Sequence, residues 1–185
     1  MGRQIFIFTA SNEAAQAHLR DSIQNRIPIE LAFKSFPSRD HDALRALDRS
    51  HGLYAWGAVP GRLNAPRWSA MNVGDWSLCV FNSRFRYVAR VAAKFNNKQF
   101  AERLWRTNAK GETWQLMYFL ERPAEVNICV RDLSYFLGSG FMGFTRIREE
   151  KISRIAAEFG DVDRFIHARL LPNADHPTRN NLNEH

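Results

Sequence analysis

Lysine is scarce in this sequence: Lys34, Lys94, Lys98, Lys110 and Lys151 stand against twenty-one arginines in 185 residues. The formal charge is +7 and the pI about 9.9, so the basic character is carried by guanidinium groups. A guanidinium meets phosphate oxygens with a planar fork and stacks on flat rings, whereas an ammonium is a hydrated point charge. The balance favours a polyanionic partner. Cysteine is nearly absent. Cys79 and Cys129 lie singly in apolar runs without metal-ligand spacing and read as buried thiols of a reducing compartment. No apolar run approaches the roughly 20 residues that cross a bilayer, so no membrane partner is expected. The N-terminus passes directly into a strand pattern, so no signal peptide is expected and the location is read as cytoplasmic.

Catalytic signatures are missing too. His18, His41, His51, His167, His176 and His185 are scattered without ligand spacing, and there is no Walker loop, dinucleotide fingerprint or nucleophile elbow. The glycine-rich run Gly138 to Gly143 has neither the lysine nor the Ser/Thr of a phosphate-binding loop. Asp40, Asp42 and Asp48 surround an ordinary helix start. No catalytic residue, metal or cofactor is expected.

What is present reads as one α+β domain with short appendages. Gln4 to Thr9 is a β-rich run, followed by a helix that Ser11 or Asn12 caps. Leu31 and Phe33, between Pro28 and Pro37, suggest a second short strand, and Asp40 opens a helix ending near Gly52. Residues 1–50 therefore look like a strand/helix extension. Residues 51–171 form the main domain. Leu53 to Trp56 is a strand, Asn64 to Trp68 a polar connection, and Trp76 to Phe81 a strand. Asn82-Ser83 makes a turn into the return strand Phe85 to Val91, whose alternation places Arg84, Arg86 and Arg90 largely on one face. Lys98 to Trp105 is a helix, Trp114 to Leu120 and Val126 to Val130 are strands, and Gly160 and Asp161 separate two last helices. About five or six strands suggest a curved sheet or small open barrel flanked by short helices. Residues 172–185 lose periodicity and read as a tail or linker.

Five tryptophans stand out. Trp76 and Trp114 fall in strand patterns and read as structural. Trp56, Trp68 and Trp105 each fall beside a loop at the edge of an element, where they either plug the core or wall a pocket for a flipped base. Extruding a base costs a few kcal/mol that stacking must offset. Each base–aromatic stack is worth about 1–3 kcal/mol.

The succession Tyr54-Ala55-Trp56-Gly57, Trp68, Val73-Gly74-Asp75-Trp76-Ser77-Leu78-Cys79-Val80-Phe81-Asn82 and Tyr87-Val88-Ala89-Arg90-Val91 resembles the PUA-like superfamily. The nearest branches are the EVE domains and the YTH readers of methylated RNA. Leu104-Trp105-Arg106, a short loop and Trp114 to Val126 resemble the YTH segment in which a cage tryptophan precedes a strand. The order of parts also suits the recognition domains of modification-dependent restriction systems, McrBC-type and HNH-fused ones included. The resemblance spans about residues 50 to 147 and is one of pattern. It implies that Trp56 and Trp105 wall a base pocket, with the backbone of Gly57 and Ala58 facing the base edge. Trp68 is the candidate third wall and Asn82 a candidate polar contact. The lysine-serine start of YTH and EVE first strands is replaced here by Ser50-His51-Gly52.

Arg62, Arg67, Arg84, Arg86 and Arg106 lie in or beside the pocket loops and are the expected phosphate contacts. The expected function is to read a modified base in double-stranded DNA (5-methylcytosine, 5-hydroxymethylcytosine or N6-methyladenine) by flipping it into the aromatic pocket. The tail suggests a sensor whose fused or associated nuclease or motor lies elsewhere. Two alternatives stay open: an RNA-binding PUA-like module, and a small enzyme holding a nucleotide in the tryptophan pocket.

Overall fold

The computed structural model describes residues 2–172; nearly all of the expected tail lies outside the described residues. In chain order the elements are β1 (Ile5–Thr9), α1 (Glu13–Leu19), a π-helical turn (Arg20–Gln24), α2 (Ile29–Phe33), α3 (His41–His51) and β2 (Tyr54–Ala58). They continue with α4 (Asn64–Ala70), β3 (Trp76–Phe81), β4 (Arg84–Asn96), α5 (Lys98–Trp105), β5 (Leu116–Leu120) and β6 (Ala124–Cys129). The last are α6 (Ser134–Leu137), β7 (Phe144–Arg146), α7 (Glu149–Phe159) and α8 (Val162–Arg169).

The strands make one sheet in the order β2-β5-β4-β3-β1-β7, with β6 pairing the first half of β4. β1 runs parallel to β3 and antiparallel to β7, so both of its edges are paired. Both of its faces are covered as well. Ile5 and Ile7 enter a core shared with the C-terminal helices, and Phe6 and Phe8 enter a core inside the curl of the sheet. That is why the run Ile-Phe-Ile-Phe is continuously apolar instead of alternating. The opening segment is thus an interior part of the sheet and not an extension beside it. A third core packs α2, α3 and α5 against the outer side of β2 and β5 around Ile27, Leu44, Phe100 and Phe119.

β4 is the spine, because it pairs β3, β5 and β6 along thirteen residues. Irregularities at Cys79/Val80, Phe85/Tyr87 and Val91/Ala93 bend it. One such bulge interrupts the alternation expected from the sequence. Phe85 and Val88 enter the C-terminal core, while Tyr87, Ala89 and Val91 enter the curl. The arginines accordingly do not share a face. Arg84 and Arg86 converge on Asn127, while Arg90 stands over the Trp76 ring. The Asn82-Ser83 turn takes positive φ at both residues (50° and 55°), the twist-compatible hairpin geometry.

Asp75, buried in the turn before β3, accepts from the Gln4 N–H at 2.9 Å and the Asn72 N–H at 2.7 Å, pinning β1 beside β3. Three expectations are corrected. Residues 29–33 form a helix, with Pro28 holding the chain in extended conformation just before its first turn. The segment from Asn64 is also helical, since Pro66 falls in a first turn where no amide hydrogen is needed. Trp114 lies before β5 and not in it. Among the described residues no helix is long and apolar enough to cross a membrane.

Candidate nucleic-acid interface

Four elements deliver side chains to one cavity of about 900 Å³. From β2 comes Trp56, whose ring lies on Phe8 at 4.3 Å between centroids and 24° between planes, so one of its faces is already covered. Trp105 is the last residue of α5, where Arg106 adopts φ 62° and turns the chain away. The following loop is stitched by Asn108, which accepts from the N–H groups of Lys110 and Glu112, and by the Thr113 hydroxyl, which donates to the Arg106 carbonyl at 2.8 Å. The loop returns Trp114 to the same wall.

The fourth contributor is α1, which Asn12 caps by accepting from the Ala15 N–H at 2.8 Å. It brings His18 among the indoles: 4.3 Å from Trp114 edge-on, 5.6 Å from Trp105 and 6.4 Å from Trp56. The helix continues as a π turn, and the Ser22 hydroxyl donates to the His18 carbonyl at 2.8 Å, holding the ring's backbone in place. Burial lowers the His18 pKa from its ordinary value, partly offset by a backbone hydrogen bond at Trp105 and the charge of Asp21, so the ring is held towards its neutral form.

Close packing shapes the wall. A Cβ added to Gly57 would collide with the carbonyl of Trp114 and come within 2.8 Å of the Trp105 ring. Only glycine lets β2 lie this near the loop. Trp56 and Trp105 meet at 6.1 Å and 57°, an inclined pair and not a parallel sandwich. The Trp105 indole N–H is buried without a hydrogen-bond partner. Such a donor is costly to leave unpaired in a core. Chemically the cavity suits a flat ring with a polar edge. Among the described residues no three His, Cys, Asp or Glu side chains are grouped to hold a metal ion.

The residues singled out from the sequence divide cleanly. Trp56, Gly57, Ala58, Trp105 and Arg106 line the cavity. Trp68 does not: its indole N–H donates to the Met117 carbonyl at 3.0 Å and the Lys94 ammonium sits 4.4 Å from its ring. Asn82 is at the tip of the β3–β4 hairpin beside a separate hollow of about 430 Å³. Arg84 and Arg86 are engaged by Asn127, and Arg67 donates to the Phe144 carbonyl at 2.6 Å. Arg62 is exposed in the loop between β2 and α4. His18, Asp21 and Trp114 line the cavity without having been singled out. His18 lies between Ala15 and Leu19 on an ordinary helix pattern, and nothing local marks it.

No family model and no curated protein matches the sequence. Among solved structures, the N-terminal domain of Thermococcus gammatolerans McrB bound to m5C DNA superposes with a TM-score of 0.61 at 16% identity, over 84% of this chain and 96% of that one. The YTH domain-containing protein mmi1 in an RNA complex follows at 0.46 and 12% identity, over 91% and 86%. The YTH domain of Zygosaccharomyces rouxii MRB1 in complex with N6-methyladenosine RNA gives 0.35 at 13% identity, over 84% and 85%. The curled sheet and its flanking helices are those of the PUA-like fold.

Proposed function

We propose that this chain is a DNA-binding domain that reads a modified base by drawing it out of the duplex into the cavity walled by Trp56, Trp105 and Trp114. The observation that carries the reading is the convergence of these three indoles, delivered by separate elements, on one cavity. A ring resting on Trp56 has that indole held rigid by Phe8 behind it. The His18 ring, held towards its neutral form by burial, offers a polar contact to the base edge. A stacking contact at about 1–3 kcal/mol offsets much of the few kcal/mol of extrusion. A methyl group buried against the indoles adds about 0.8 kcal/mol, close to fourfold in affinity. The rest of the discrimination falls to the polar contacts.

Deoxyribose and 5-methylcytosine are the preferred substrate features, because the McrB domain of the same fold was solved on m5C DNA. That kinship also supports a role as the sensor of a modification-dependent restriction system, with a nuclease or motor fused or associated. Arg106 at the cavity and Arg62 beside it supply phosphate contacts.

The test is binding to otherwise identical duplexes carrying cytosine, 5-methylcytosine, 5-hydroxymethylcytosine or N6-methyladenine, with matched RNA, at several salt concentrations. Preference for one modified duplex, lost in Trp56→Ala while the fold survives, supports the reading. Preference for modified RNA transfers it to an RNA reader. Uniform, steeply salt-dependent binding indifferent to Trp56 refutes the pocket.

A further inference from the structure

Large apolar side chains are exposed at four described positions: Leu63, Val73, Tyr135 and Met142. Two of them have a local explanation. Tyr135 packs edge-on against Phe136 and is covered by the Arg154 guanidinium at 4.4 Å. Val73 sits in the turn that enters β3, at the end of that strand away from the cavity-lining Thr9. Leu63 and Met142 have no such cover, and Met142 is 82% exposed.

Both belong to loops rooted in the cavity wall. Met142 precedes Gly143, which lines the cavity together with Thr9. The root is clamped in both directions: the Gly143 N–H donates to the Thr9 hydroxyl at 2.9 Å, and the Thr9 N–H donates to the Gly143 carbonyl at 3.0 Å. Gly140 and Gly143 take φ of 68° and 60°, so glycine is needed there to form the loop, not to loosen it. Leu63 lies between Val59 and Asn64, which also line the cavity, and the Asn64 amide donates to the Val59 carbonyl at 2.9 Å. The elements that follow the two loops are joined: Arg67 of α4 donates to the Phe144 carbonyl of β7 at 2.6 Å. Arg62 flanks Leu63 on an exposed surface, so the apolar tip is set beside positive charge.

We infer that Met142 and Leu63 form a wedge that enters the base stack of a DNA duplex where the read base has left it. The inference rests on the base-reading function proposed above and deepens it by naming the duplex as the substrate form. Extruding a base from a duplex leaves a gap and an unpaired partner, and apolar side chains of this kind fill such openings. A single strand has no gap to fill. Clamped backbones carrying exposed tips are preorganised for insertion, so little ordering is required on binding. Two exposed apolar residues beside one cavity thereby acquire a role that neither the cores nor the cavity itself gives them.

The test compares a duplex with one 5-methylcytosine, the same strand alone, and the duplex with 2-aminopurine next to the modified base. Met142→Ala with Leu63→Ala is expected to weaken duplex binding about tenfold, the equivalent of one well-buried apolar side chain. It is expected to leave single-strand binding within about twofold and to reduce the 2-aminopurine signal of unstacking. Both residues are exposed, so the variant retains its fold. Equal loss on duplex and single strand, or no loss on either, overturns the wedge. Failure of the unaltered protein to bind any modified oligonucleotide overturns the base reader, and the wedge with it. A Trp56→Ala control separates the two, since it is expected to weaken duplex and single strand alike.

Discussion

Two histidine–tryptophan pairs lie in different packing clusters of the molecule, and their surroundings differ. Trp76 meets His167 edge-on at 6.0 Å, and Trp114 meets His18 edge-on at 4.3 Å. Around Trp76 the indole N–H and the charges beside it are answered, although the buried His167 Nδ1 has no partner. Its indole N–H donates to Asp163 at 2.7 Å, Arg90 lies over its face at 4.4 Å, and Arg3 closes the other side of Asp163 at 2.8 Å. Burial works to raise the Asp163 pKa, but the Trp76 N–H, Arg3 and Arg90 outweigh it, and the carboxyl titrates below its ordinary value. Around Trp114 the neighbours are aromatic, the adjacent Trp105 N–H has no partner, and the shared space is a cavity. Trp76 and Trp105 are buried alike, at 4% and 5%, so burial does not distinguish them. Satisfaction of the polar edges does. The Trp76 N–H is answered inside the protein; the Trp105 N–H is not, and the Trp105 ring borders a cavity.

The sharpest way to break this contrast is Gly57→Ala, which drives a methyl group into the Trp114 carbonyl and the Trp105 ring. Overpacking of this kind costs about 1–3 kcal/mol. Modified-base binding is expected to fall by more than tenfold, read by anisotropy titration, while the Trp76 side keeps its structure. Next comes Asp163→Ala, which leaves the Trp76 indole N–H unanswered and removes the carboxylate that Arg3 and Arg90 face, at a cost of about 1–3 kcal/mol. Thermal unfolding should drop by roughly 2–4 °C per kcal/mol in a chain of this size, with base affinity unchanged. Loss of binding in this variant would show that the two sides are coupled.

His18 offers a smaller effect with a defined sign. Its folded-state pKa is lowered, so the unfolded chain takes up its proton first as the pH falls. Stability is therefore full above the ordinary histidine value of about 6.5 and declines as the pH drops through the folded-state value. His18→Phe should flatten the part of the melting-temperature curve between about pH 7 and 5 that His18 contributes. An unchanged curve would mean that the ring is not held neutral. The smallest expected effect belongs to Arg62→Ala and Arg106→Ala. Each should weaken binding to all duplexes uniformly and reduce the salt slope by about one.

How much of this was legible beforehand follows from the range of the forces involved. The caps at Asn12 and Asp161, the Asn82-Ser83 turn and helix α5 were readable, because capping, turn chemistry and helical spacing act over a few residues. Helix α2 resembles a strand in the sequence, since a five-residue helix is too short to show a period. The arginines of β4 were placed on one face because nothing local signals a bulge that β6 and β3 create by pairing. In the cavity, Trp56 and Trp105 stood out by their place at loop edges. Trp68 had the same place, yet Met117 and Lys94 claim it. Trp114 looked like a strand residue and His18 like part of a helix face.

By itself the sequence determined which residues had to be buried, where the chain turned and stopped, and that the surface would be rich in arginine. Those properties depend on side-chain chemistry and short-range geometry. Only the tertiary structure decided that β1 is an interior strand, that the Trp76 N–H is answered by Asp163 while the Trp105 N–H is not, and that His18 joins three indoles. These outcomes require residues far apart in the chain to meet, as His18 and Trp114 do, and no local pattern encodes a meeting at that range.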